Sequence, residues 1–138
     1  MDIKKISMHF LIVCIIISAC LLLYSFFVLE KVIVVPMNIN VSGSYGFNLD
    51  ADSLHFGNTV PGGESQRGFV VSNHRKYPLL ASVIKEGEIA GWVEIKDSRF
   101  VVPPYENRSI SATVYVPNSV PEGFYTGNIK VILRKKWF

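Results

Sequence analysis

The sequence predicts an all-β fold, an antiparallel sandwich of about seven to nine short strands, preceded by one transmembrane helix. Three observations carry this. Phe10 to Leu29 (FLIVCIIISACLLLYSFFVL) contains no formal charge and stops at Glu30–Lys31. From Val32 onward, apolar residues alternate with polar ones and are punctuated by Gly, Pro and Asn at roughly ten-residue spacing. No stretch after Leu29 has the 3.6-residue apolar period of an amphipathic helix.

As a helix, the apolar run is about 30 Å long, the thickness of a bilayer's hydrocarbon core. The expected organisation is a short cytoplasmic N-terminus (1–9), a signal-anchor helix (10–29), a connector (30–36) and a sandwich (37–138). Lys4 and Lys5 precede the run and Glu30–Lys31, net neutral, follow it, which keeps the N-terminus inside and exports the domain. A cleavable signal has an apolar stretch of about 7–15 residues and a small-x-small exit, and neither is present. Ile17-Ser18-Ala19-Cys20 resembles the lipobox of bacterial lipoproteins, but LLLYSFFVL follows where a polar tether is usual. Lipidation of Cys20 stays open beside the signal-anchor reading. Otherwise Cys14 and Cys20 are small hydrophobes of the helix.

Beyond Leu29 the chain has 12 Lys+Arg and 10 Asp+Glu, evenly spread, and no cysteine. That excludes the basic face of a nucleic-acid binder and any cysteine-based metal site. Met37–Ser42 reads as the first strand. Gly43 and Gly46 mark a bend or bulge before Tyr45–Leu49, and Leu54–Phe56 is brief. Thr59–Glu64 (TVPGGE) is a turn. Gln66–Asn73 places Phe69 and Val71 on one face and Val70 on the other. Asn73–Pro78 (NHRKYP) turns into Leu79–Lys85, and Trp92–Ile95 and Arg99–Val102 follow. The cleanest alternation sets Ile110, Ala112, Val114 and Val116 against Ser109, Ser111, Thr113 and Tyr115. After the turn Pro117–Gly123, the last strand is Phe124–Leu133.

The order LHFGNTVPGGESQRGFVVSN, AGWVEI, VVPPYENRSISATVYVPNSVPEGFYTGNIKVIL resembles immunoglobulin-like domains of the major-sperm-protein, Hydin and NEW3-like kind, which recur in archaeal and bacterial surface proteins. The resemblance spans about Leu54 to Leu133 and implies an immunoglobulin-like sandwich. Its motifs are turn formers and core positions, so it speaks to fold more than function. The layout of anchor plus sandwich is also similar to small stator subunits of the archaellum.

No group of residues points to catalysis or a cofactor. His9, His55 and His74 read as edge or surface histidines. Asn48–Asp52 has the oxygen spacing of a calcium loop, but Ser53 and Thr59 stand where its glycine and glutamate belong. Asn40-Val41-Ser42 and Asn107-Arg108-Ser109 are sequons, so Asn40 and Asn107 are candidate glycosylation sites in an exported domain. Asn40 is close to the membrane in sequence. The tail Arg134-Lys135-Lys136-Trp137-Phe138 joins cations to aromatics and is a candidate interaction site. With seven alternating strands, it falls at the pole opposite the anchor. The expected function is a non-enzymatic, single-pass surface protein that contacts a protein or envelope partner and the membrane through residues 10–29. The alternative is a subunit of a secretion or stator complex, with Tyr24 and Ser25 as helix contacts.

Overall fold

The computed structural model describes residues 3–46 and 53–137. Ile3–Val28 form one helix, α1, of 26 residues, about 39 Å at 1.5 Å per residue. None of its side chains is buried. A helix that is apolar on all sides has no polar face to turn to water, and this one is long and apolar enough to cross a bilayer.

No connector follows it. Strand β1 spans Leu29–Val41 and starts at the residue after α1, so residues 30–36 are strand. The β-branched run Val32–Val35 favours that conformation. Pro36 is tolerated for a topological reason. β1 pairs with the last strand, β8 (Gly123–Lys135), over nearly its whole length, but with β2 (Leu54–Thr59) only from Met37. The missing N–H of Pro36 therefore falls where β1 is still an edge on one side.

The remaining strands are β3 (Glu64–Ser72), β4 (Leu79–Gly87), β5 (Val93–Ile95), β6 (Arg99–Val102) and β7 (Asn107–Tyr115). They form a five-stranded sheet, β2-β1-β8-β4-β6, and a three-stranded sheet, β3-β7-β5. One core takes residues from both, including Met37, Ile39, Ile129 and Val131 from the first and Val71, Ala112 and Val114 from the second. The alternation read in β7 holds, with Ile110, Ala112, Val114 and Val116 buried. Trp92 precedes β5 and packs on Tyr125 with ring centroids 5.0 Å apart.

Two expectations are corrected. The pairing is not wholly antiparallel, because β1 and β2 run parallel. The expected bend is present at Gly43–Ser44, and the bulge lies in β2. Asn38 pairs with His55 and Asn40 with Asn58, so β2 carries one extra residue, and Gly57 absorbs it at φ 80°. Gly46 forms only an isolated bridge to Asn58; residues 47–49 of the expected second strand lie outside the described residues. Finally, β8 is antiparallel to β1, with Arg134 opposite Leu29. The C-terminal tail is thus beside the end of α1, not at the far pole. The eight strands fall within the expected seven to nine, but two successive pairs, β1–β2 and β5–β6, do not reverse the chain; the five reversals that remain, an odd number, return β8 to the pole where β1 begins.

Candidate functional site: the helix-proximal pole

The turn Asn73–Pro78 is built around one side chain. Asn73 is buried, and its Nδ2 lies 2.9 Å from Tyr77 O, 3.0 Å from Val102 O and 3.0 Å from Pro103 O as donor. Its Oδ1 accepts the Arg75 N–H at 2.8 Å. An asparagine suits this place because it offers donors and an acceptor on one short planar group. It fixes the β3–β4 turn to the β6–β7 turn and thereby positions Arg75 and Tyr77.

Both of those residues reach Glu30 at the start of β1. Arg75 Nε lies 2.5 Å from Glu30 Oε1, and the Tyr77 hydroxyl donates to Oε2 at 2.9 Å. The hydrogen bond to Glu30, then burial and the nearby carboxylate charge, raise the Tyr77 phenol above its ordinary pKa of 10.0, opposed by Arg75. Glu30 clips the turn to the residue where the helix has just ended.

The tail completes this pole. Lys136 N–H donates to Pro78 O at 3.0 Å, which extends β8 past Lys135. Lys135 Nζ sits 4.5 Å from the Tyr77 ring centroid and 4.1 Å from that of Trp137, a cation held between two aromatics. Of the expected tail, the structure brings Arg134, Lys135, Lys136 and Trp137 together with the β3–β4 turn; Phe138 lies outside the described residues.

Beside this cluster is a cleft of about 310 Å³, bordered by Glu30 and Ile33 of β1, Val70 and Ser72 of β3, and Arg75. Its origin is topological. β2 covers β1 only from Met37, and Ser65 and Arg67 of β3 donate to Phe56 O and His55 O of β2, away from that open half of β1. Among the described residues, the β1 edge at 29–36 and the β3 edge at 68–72 pair with nothing on their outer sides.

Tyr105 also belongs to this pole. It stands in the Pro103–Glu106 turn at φ 59°, among the described residues the one non-glycine with positive φ, and is 72% exposed. Nothing in its sequence neighbourhood announces that strain beyond the double proline before it.

The other candidates sit elsewhere. His55 is a satisfied edge residue, its Nδ1 2.7 Å from Asn38 Oδ1 and its Nε2 on Ser53 Oγ. Asn40 is half-buried in β1, and its Nδ2 donates to Asn58 Oδ1 at 3.1 Å. It lies about 36 Å along the strand from Leu29, so proximity in sequence is not proximity in space. Asn107 opens β7 and is exposed. His9 Nδ1 lies 2.6 Å from Lys5 O on α1. The calcium-like segment 48–52 lies outside the described residues. Among the described residues, no three His, Cys, Asp or Glu side chains are grouped to hold a metal.

Fold and site define a two-sheet β domain joined without a linker to a helix of membrane-spanning length. Compared with known protein families, characterised proteins and solved structures, the chain matches none.

Proposed function

We propose that this chain is a single-pass membrane protein whose immunoglobulin-like sandwich, exported beyond the membrane, binds a protein partner by strand addition rather than by chemistry. The observation that carries this reading is the pair of open strand edges, 29–36 of β1 and 68–72 of β3, flanking the helix-proximal cleft. Unpaired backbone N–H and C=O groups are a template for an extended segment of another chain. Val70, 60% exposed on the β3 edge, supplies apolar contact beside them. The charge bias across α1 supports export of the domain.

The reading is tested by photo-crosslinking from Val70 in intact cells, with Phe124, 65% exposed and remote from the cleft, as the control position. A discrete adduct from position 70 and none from 124 supports it. Equal adducts from both positions, or a domain that protease added outside intact cells leaves untouched, contradicts it.

A further inference from the structure

The described loops divide by charge. At the helix-proximal pole, residues 29–31, 73–78, 103–106 and 134–137 carry Lys31, Arg75, Lys76, Arg134, Lys135 and Lys136, with only Glu30 and Glu106 against them. At the other pole, residues 42–46, 60–64, 87–92 and 116–123 carry Glu64, Glu88 and Glu122 and no lysine or arginine. A net charge of +3 for the whole chain conceals this polarity.

The register gives the basic pole a depth. If Leu29 is the last residue of the apolar span, then Glu30 and Lys31 stand at headgroup level. Arg134 is opposite both Leu29 and Leu80, and Lys135 is opposite Leu79, so these cations lie at the same level. Trp137, 56% exposed, and Tyr105, 72% exposed, accompany them. Lysine and arginine interleaved with Trp and Tyr is the composition that settles at membrane interfaces, with rings among the headgroups and cations on the phosphates. The strain at Tyr105 adds an independent observation. Glu106 N–H closes its turn on Pro103 O at 3.3 Å, and glycine would meet φ 59° without penalty. The position instead holds a large aromatic in the open.

We infer that this pole docks onto the anionic headgroups of the bilayer that α1 crosses, seating the sandwich on the membrane with its acidic pole outward. The inference rests on the membrane-spanning reading of α1. Because the helix and β1 share consecutive residues, the tether holds the pole at the surface and little freedom is lost on contact.

The test uses the full chain in lipid nanodiscs of phosphatidylcholine alone, or with about a third phosphatidylglycerol. The Trp137 signal is taken as the difference between the native chain and W137F, with Trp92 at the acidic pole as an internal reference. In anionic discs, Trp137 emission is blue-shifted and quenched by headgroup-proximal brominated lipid. Both effects are weak in phosphatidylcholine, and both are lost in about 1 M NaCl, where the Debye length is about 3 Å. The double substitution K76E/K136E, which leaves the Lys135 contact with Trp137 in place, lowers the docked-to-undocked ratio about 30-fold or more, from roughly fivefold per basic residue lost. Incorporation into discs with the same Trp137 emission in both lipids overturns the docking. Failure to incorporate at all overturns the reading of α1, and the docking with it.

Discussion

Replacing Asn73 by alanine removes the one side chain that holds the β3–β4 turn against the β6–β7 turn. Three carbonyls and one N–H lose their partner. The amide has two hydrogens, so its three donor contacts cannot all be full hydrogen bonds. Counting two full donations and one acceptance, at about 0.5–1.5 kcal/mol each, gives a loss of about 1.5–4.5 kcal/mol. The substitution Asn73→Asp is the sharper variant. It keeps the acceptor for Arg75 N–H but turns a carboxylate oxygen toward the carbonyls of Tyr77, Val102 and Pro103, so N73D is less stable than N73A. Urea unfolding of the full chain in detergent, followed by the fluorescence of Trp92 against Tyr125, measures both. A loss below about 0.5 kcal/mol for N73A, or an N73D milder than N73A, would mean that the Asn73 amide does not hold the two turns together.

Further perturbations probe other contacts. A methyl group on Gly127 would stand 2.7 Å from Glu86 O and 2.7 Å from Met37 Cε. G127A therefore lowers the unfolding midpoint by the equivalent of about 1–3 kcal/mol, and no change would mean that β4 and β8 are not so close. Y105G relieves the positive φ and stabilises the fold by about 1 kcal/mol or slightly less in the same assay, the larger unfolded-state entropy of glycine offsetting part of the gain. Tyr77 has a folded pKa above its ordinary 10.0, so the folded state keeps its proton longer than the unfolded one. Its contribution to stability is full below that ordinary value and is lost as pH rises through the folded pKa. The native-minus-Y77F absorbance titration of phenolate has its midpoint above 10.0; a midpoint at or below it removes the Glu30 clip.

The parts legible in the sequence are those written locally. Alternation in Ile110–Val116 and in Phe69–Val71 gave the right faces, and the Asn73–Pro78 turn was visible from its composition. The start of β1 was not, because Val32–Val35 is apolar without alternation and Pro36 reads as a break. Only the absence of β2 beside that half of the strand shows why the proline fits. Long-range pairing was hidden for the same reason. Nothing local in Leu54–Thr59 shows that it runs parallel to β1, and the pole of the C-terminus depends on such links. Of the site, the tail's composition stood out, whereas Glu30, Tyr77 and Tyr105 did not. Each is an ordinary residue until the fold brings it to one pole.

A distance measures directly whether the first and last strands converge on one pole. Spin labels on cysteines replacing Lys31 and Lys136, with Cys14 and Cys20 changed to serine, report the separation of the two strand ends in the full chain. Antiparallel β1 and β8, with Lys31 paired to Leu133, place the labels within about 20 Å of each other. A separation near 40 Å, about the length of a thirteen-residue strand, would put the tail at the far pole and contradict the account.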